Sequence, residues 1–146
     1  KVQAAIEAAD IIVLGPGSLY TSLIPNLLVK GVSESIRNSK AIKVYVSNIM
    51  TQPGETTGYS VSDHMRAIYH HTGSEFLDYV IVNNQEPPQE IAKRYEEENA
   101  YPVSCNAEEI EKMGIKIISL NVADFTDGLI RHNSIKLAQA IVSLAK

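Results

Sequence analysis

The chain has 146 residues, of which 45% are hydrophobic and 21% are charged, a composition typical of one globular domain with a sizeable core. Its formal net charge of −4 gives no general attraction to nucleic acid or to an anionic membrane. The single cysteine, Cys105, excludes an internal disulfide, and no apolar run reaches the ~20 residues of a membrane span. The composition therefore predicts a cytoplasmic protein without membrane insertion. A helical pattern over residues 1–9 has no capping residue before it, which predicts a fragment of a larger domain.

A strand followed by a glycine turn is the central feature of the sequence. Four consecutive apolar residues, Ile11 to Leu14, are too few for a helix and predict a strand covered on both faces. Glycines let backbone N–H groups approach a bound group closely, and a following helix directs its positive end to the same place. No Gly-Lys-Ser/Thr follows, so the pattern is not a P-loop, and a phosphate-binding loop and a plain strand-to-helix turn are both open. The candidate phosphate ligands are Gly15, Gly17, Ser18, Thr21 and Ser22.

Strands alternate with helices along the rest of the chain. Further strands are predicted over 43–49, 77–82, 101–104 and 116–122. Helices are predicted over 24–30, 33–38, 60–73, from 88, over 106–113 and from 134. Ser33, Ser60 with Asp63, Asn106 and Asn133 or Ser134 are the expected helix caps. The alternation predicts an α/β fold with a mainly parallel, Rossmann-like sheet and helices on both faces, with residues 1–146 as part of one larger domain.

Ligands of such sheets lie beyond the carboxyl ends of the strands. The loops at 15–22, 48–58, 83–86 and 123–132 are therefore expected to share one rim. Glu55 on the second loop would either accept a hydrogen bond from a ribose or base or brace its own loop. Asp124 and Asp127 in the last loop are expected to cap that loop.

Two further residues near this rim have two interpretations each. Arg131 precedes the last helix, where a cation and a helix end would together hold an anion, and a surface arginine is the alternative. Tyr95 has the spacing of a core residue, but its ring could also lie against a base.

The histidines predict no metal site. His70 and His71 are adjacent, so on a helix they point about 100° apart and cannot chelate one ion together. His64 has no ligand spacing to either of them, and roles on the surface or on a helix flank are expected for all three. No Gly-x-Ser-x-Gly elbow is present, so no catalytic residue is predicted.

Three stretches carry a resemblance to a known family: Gly15-Pro-Gly-Ser-Leu-Tyr-Thr-Ser-Leu-Ile-Pro25, Asn48-Ile-Met-Thr-Gln-Pro-Gly-Glu-Thr56, and Gly58-Tyr-Ser60 with Asp63-His64. With them the chain resembles the gluconeogenesis factor family, the bacterial branch of a superfamily that also contains 2-phospho-L-lactate transferase. Members of that family are about twice as long and begin with a strand and a Gly-Gly-Gly-Thr-Gly loop. The chain thus resembles the C-terminal half of such a protein.

The resemblance implies a cytoplasmic regulatory protein that binds UDP-sugars, UDP-N-acetylglucosamine in particular, and supports gluconeogenic growth, cell-wall synthesis and cell shape. It ties Tyr95 and Arg131 to the nucleotide sugar and makes Ser134 a phosphorylation target, where a phosphate would compete for Arg131. The implied partners are a second copy of the chain and cell-wall synthesis proteins. The second loop would contribute Asn48, Thr51, Gln52, Gly54 and Glu55.

The resemblance establishes no catalysed reaction, and no cofactor is expected for a binding protein. The alternative is a transferase that moves a phospho-lactyl group from a nucleotide diphosphate to a deazaflavin acceptor, with Mg²⁺ as its cofactor. A third hypothesis is an assembly module whose surface recruits cell-wall partners.

Overall fold

Four parallel strands form the centre of the fold. The computed structural model describes residues 1–145, so Lys146, the last residue of the predicted domain segment 1–146, lies outside them. The strands lie in the order β1-β2-β3-β4, and each pairs with its neighbour in parallel. This confirms the predicted, mainly parallel α/β fold. The strands are β1 (Ile11–Leu14), β2 (Ile42–Val46), β3 (Tyr79–Asn83) and β4 (Lys116–Leu120).

Helices connect the strands, and one helix follows the sheet. They are α1 (Val2–Glu7), a π-helix (Leu19–Leu23), α2 (Ile24–Leu27), α3 (Val32–Asn38), α4 (Val61–Thr72), α5 (Gln89–Glu97), α6 (Ala107–Lys112) and α7 (Ser134–Val142). Short 3₁₀ turns cover Thr126–Gly128 and Ser143–Ala145. Among residues 1–145, no helix has both the length and the apolar character needed to cross a membrane.

Both faces of the sheet are covered, as predicted. Tyr45 and Val80 face a core that includes residues of α3, α4 and α6. Val44 and Ile81 point to the opposite face, where α7 packs against them through Leu137 and other apolar residues. Side chains alternate between the faces of a strand, so continuous apolar runs in β2 and β3 supply both cores.

The first strand differs from its prediction. Val13 is 40% exposed, so β1 is not covered on both faces. The reason is its position, because β1 lies at the edge of the four-stranded sheet with β2 as its single neighbour. The expected strand over 101–104 is also wrong, since that segment forms one isolated bridge between Pro102 and Met50.

Two of the four predicted helix caps are confirmed. Ser60 and Asp63 form a reciprocal capping box at α4, and Asn133 caps α7 by accepting a hydrogen bond from the Lys136 N–H. Ser33 is not a cap, because Gly31 precedes α3 and the Ser33 hydroxyl donates to a carbonyl of α2. Position 106 does begin α6, but the Asn106 side chain bonds to α4 rather than to its own helix.

The loop before α7 contains structure that the sequence did not predict. Ala123–Asp124 (β5) and Arg131–His132 (β6) form a small antiparallel hairpin at the expected rim. The Asp124 carboxylate accepts hydrogen bonds from the N–H and hydroxyl of Thr126, which agrees with the expected capping role. This hairpin turns residues of the last loop back toward the ends of the strands.

Candidate functional site

The turn after β1 is shaped by a close approach to the neighbouring strand. Gly15 has a φ of +87°, and a Cβ at this position would lie 2.9 Å from the carbonyl oxygen of Val46. Glycine is therefore needed there for both conformation and space. Within residues 1–145 the backbone N–H groups of Gly17 and Ser18 have no hydrogen-bond partner. They are two open donors at the carboxyl end of β1.

The Tyr20 N–H, two residues after Ser18, is already bonded to a carboxylate of the protein itself. Glu55 Oε1 accepts a hydrogen bond of 2.9 Å from the backbone N–H of Tyr20, in the π-helix that follows the turn. Of the two interpretations of Glu55, the geometry favours bracing, although the braced segment is the first loop rather than its own. An anionic ligand at this turn would thus meet Gly17 and Ser18, while Tyr20 is already paired.

A side-chain amide also links the second loop to the first. Gln52 Nε2 donates to Ser18 Oγ at 2.9 Å, and the Gln52 backbone N–H donates to the Thr56 hydroxyl. Gln52 Oε1 is buried and has no hydrogen-bond partner within the described part of the chain. A buried acceptor without a donor costs about 1–3 kcal/mol, so Gln52 carries an energetic cost at the position that links the two loops.

Thr51 anchors the second loop through two hydrogen bonds to Tyr101. Its backbone N–H donates to the carbonyl of Tyr101 at 2.7 Å, and its hydroxyl accepts from the Tyr101 N–H at 3.0 Å. The side chain is buried, so Thr51 supports the loop rather than facing a ligand. Gly54 lies at an exposed turn, where its N–H donates to the Thr57 hydroxyl.

A groove of about 220 Å³ lies where these loops meet. It brings together five of the residues predicted from the sequence: Gly17, Ser18, Asn48, Gln52 and Tyr95. Thr21 and Ser22 are exposed on the π-helix and do not line it. Pro16, Ile49, Met50, Ile130 and His132 complete the lining.

The hairpin is held over the groove by α5. The Tyr95 hydroxyl accepts a hydrogen bond of 2.9 Å from the Ile130 N–H, and Arg94 donates to the carbonyl of Gly128. Tyr95 therefore lines the groove and also fixes the position of β6. Its hydroxyl proton is still available to a ligand, because a hydroxyl can donate and accept at once.

Arg131 lies on the outer side of this hairpin. Ile130 and His132 line the groove, and alternate residues of a strand point to opposite sides. The Arg131 side chain is exposed, and β6 pairs it with Asp124, whose carboxyl pKa is lowered mainly by Thr126 and further by Arg131. The structure does not bring Arg131 into the groove.

His132 is a groove residue that the sequence analysis missed. Its Nε2 lies 3.1 Å from the carbonyl oxygen of Ser47, and burial lowers its pKa. The neutral ring donates from Nε2 to that carbonyl, which leaves Nδ1 as an acceptor. His132 could have been selected as a candidate site residue from the sequence, because it follows Arg131 in a loop that was expected at the rim.

The other histidines do not form a ligand cluster. His64 is fully buried with Nδ1 2.8 Å from the Ser60 carbonyl oxygen, so the surface or flank role expected for it is wrong. The reason is that the fourth position of α4 faces the core, where the ring packs edge to face on Tyr59. His70 and His71 are exposed. Within residues 1–145 no three acidic, cysteine or histidine side chains are grouped as metal ligands.

Comparisons with known proteins match this chain over nearly its whole length. A family model described as 2-phospho-L-lactate transferase CofD matches residues 1–123. The chain is 54% identical to a relative from Thermoanaerobacterium thermosulfurigenes, over 95% of this chain and 43% of that protein. It is 44% identical to the Bacillus subtilis protein named gluconeogenesis factor, over 97% of this chain and 44% of that one.

A solved structure agrees with the fold. A crystal structure of a Bacillus halodurans protein superposes with a TM-score of 0.93 and 43% identity, covering 96% of this chain and 45% of that one. The chain therefore spans less than half the length of these relatives, and the match lies in their C-terminal half. The resemblance predicted from the sequence is confirmed.

Proposed function

Because the chain belongs to the 2-phospho-L-lactate transferase CofD family, we propose that its groove is one wall of a nucleotide-sugar site. The ligand that we propose is UDP-N-acetylglucosamine. In this proposal the diphosphate accepts hydrogen bonds from the N–H groups of Gly17 and Ser18, and Gln52 holds Ser18 in position through its Nε2. The rest of the full-length protein supplies the opposite wall.

One observation carries the proposal, namely that two open backbone donors lie at a small groove, on a turn that the Gln52 amide holds in place. The unpaired N–H groups lie at the end of β1, and the buried Gln52 Oε1 lies on the loop bound to them. Unpaired backbone N–H groups at a glycine turn favour an anion. A sugar nucleotide offers a diphosphate for these donors.

We place this binding in a cytoplasmic regulatory protein that supports gluconeogenic growth and cell-wall synthesis. Relatives with the name gluconeogenesis factor support the regulatory role. In this role Ser134, exposed at the first position of α7, is a phosphorylation site beside Arg131. A phosphate there would bring negative charge next to the hairpin that covers the groove.

Calorimetry with the full-length protein tests the proposal. UDP-N-acetylglucosamine should bind, and Gln52→Leu should weaken binding about tenfold, because the hydrogen bond that positions Ser18 is lost. Gln139→Leu, at an exposed position of α7, is the matched control and should leave the affinity unchanged. If the wild-type protein does not bind UDP-N-acetylglucosamine at millimolar concentration, the proposal is rejected.

The family description supports a second candidate, a transferase that acts on a nucleotide diphosphate and a deazaflavin acceptor. The full-length protein would then release nucleoside monophosphate when given Mg²⁺, the acceptor and a lactyl nucleoside diphosphate, a donor in which one diphosphate joins the lactate to the nucleoside, because the phospho-lactyl group passes to the acceptor hydroxyl as the P–O–P bond breaks. Release above the protein-free rate would support this candidate. No release from a preparation that binds the nucleotide would reject it and leave the binding role.

A further inference from the structure

A second cavity adjoins the groove at the carboxyl ends of β2 and β3. It has a volume of about 240 Å³, and it shares Asn48 and Ile49 with the groove. A ligand whose diphosphate lies at Gly17 and Ser18 would therefore extend past Asn48 into this cavity. The loop at 83–86 was expected at this rim, but none of its residues was predicted as a ligand.

The polar side of the cavity consists of amides and one carboxylate. Asn83 is used internally, since its Oδ1 accepts from the N–H groups of Gln85 and Val122 and its Nδ2 donates to the Gln85 carbonyl. It shapes the loop. The side-chain amides of Asn48 and Asn84 have no hydrogen-bond partner within residues 1–145, and both line the cavity.

The charge of the lining argues against a phosphate. No lysine, arginine or histidine of the described chain lines the cavity, whereas Glu86 does. A carboxylate repels an anion, and nothing in the lining would offset that repulsion. The occupant is therefore not an anion, and the amides of the lining favour a group with hydrogen-bonding capacity.

The apolar side of the cavity argues for a flat ring. Ile49, Val82, Pro87, Pro102 and Val103 form the remaining walls. A sugar carries hydroxyls around its ring and would leave several of them facing these apolar walls, which is costly. A nucleobase has apolar faces and a polar edge, so it suits apolar walls with amides on one side.

We infer that this cavity is the nucleobase subsite of the nucleotide-sugar site, with the amides of Asn48 and Asn84 on the polar edge of the base. The inference rests on the proposed function, because it assigns one part of the same ligand. An amide can donate and accept together, which matches the alternating carbonyl and N–H groups of a uracil edge. The diphosphate then bridges from the base to the groove.

Competition calorimetry on the full-length protein tests the assignment. We would measure the affinities of UDP, ADP and inorganic pyrophosphate for the wild type, for Asn84→Leu and for Asn84→Trp. Asn84 is exposed, so both variants should fold. Asn84→Leu should reduce the preference for UDP over ADP about tenfold, and Asn84→Trp, which fills the cavity, should reduce the UDP affinity further. Neither should change the affinity for pyrophosphate.

The control is Asn38→Leu, an exposed asparagine at the end of α3, which should behave as the wild type. If both Asn84 variants keep the wild-type affinity and preference for UDP while Gln52→Leu weakens binding, the base lies elsewhere and the inference is wrong. The proposed function would then stand. If the wild-type protein binds neither UDP nor UDP-N-acetylglucosamine, the proposed function fails and the inference fails with it.

Discussion

Glu55 and Tyr20 are 35 residues apart in the chain, yet the Glu55 carboxylate accepts a 2.9 Å hydrogen bond from the Tyr20 backbone N–H. The bond joins the two loops that contain most of the predicted site residues. It also places a negative charge of the protein at the first turn after β1. The space left for a ligand anion is therefore the segment just before it, at Gly17 and Ser18.

Substitution of Glu55 should reveal this link. Glu55→Ala leaves the Tyr20 N–H without its acceptor and should lower the free energy of unfolding by about 1–2 kcal/mol, measured in urea. Glu55→Gln keeps an acceptor oxygen and should lose less than half of that. Equal losses in the two variants would show that the carboxylate charge, rather than the hydrogen bond, joins the loops.

Gln52 should behave differently from a residue that only stabilises the fold. Its Oε1 is buried without a partner among the described residues, so Gln52→Leu removes an unsatisfied acceptor together with one bond to Ser18. The two effects oppose each other, and we expect the free energy of unfolding to change by less than about 1 kcal/mol. Urea denaturation of the unliganded protein checks this. A loss of several kcal/mol would mean that Gln52 is a structural residue, and the weaker ligand binding of the variant would then have another cause.

Tyr95 should control the mobility of the hairpin. In Tyr95→Phe the Ile130 N–H loses its acceptor, which costs about 1 kcal/mol and corresponds to roughly fivefold faster local opening. Hydrogen exchange at the Ile130 amide measures that rate. The Val80 amide in the central strand β3 is the control and should exchange as in the wild type. Unchanged exchange at Ile130 would mean that the other contacts of the hairpin, those of Arg94 and His132, hold it without Tyr95.

The buried histidines predict how stability depends on pH. Burial lowers the pKa of His64 and of His132 below the ordinary 6.5, and unfolding restores the ordinary value. Near pH 6 the unfolded chain therefore binds more protons than the folded chain, so the free energy of unfolding should fall as the pH drops from about 7.5 to about 5.5. Urea titrations across this range should show a smaller slope in His64→Gln. His70→Gln, at an exposed position of the same helix, should keep the wild-type slope, and a stability that rises on acidification would contradict the account.

The sequence predicted the fold well because its local patterns agree with the tertiary structure. The apolar runs around Val44 and Val80 are buried on both faces, and the capping box of Ser60 and Asp63 fixes where α4 begins. Val13 was misjudged because a run of apolar residues does not reveal whether its strand is central or at an edge. His64 was misjudged because a polar residue within a helical pattern gives no sign that its ring is packed in the core.

The site was predicted less completely than the fold. Glycines and hydroxyls after β1 mark a turn, and the topology indicates which loops share the rim, so Gly17, Ser18, Asn48 and Gln52 could be selected from the sequence. The hairpin could not be selected, since two-residue strands leave no periodic pattern. Without it, the sequence does not show that His132 faces the groove while Arg131 faces outward.

Backbone NMR of the full-length protein, titrated with UDP-N-acetylglucosamine, tests the central claim most directly. The account predicts that the largest amide shifts occur at Gly17 and Ser18, whose N–H groups have no partner within residues 1–145, and that the Tyr20 amide, already paired with Glu55, shifts much less. Saturable binding that leaves the Gly17 and Ser18 amides unmoved would contradict it.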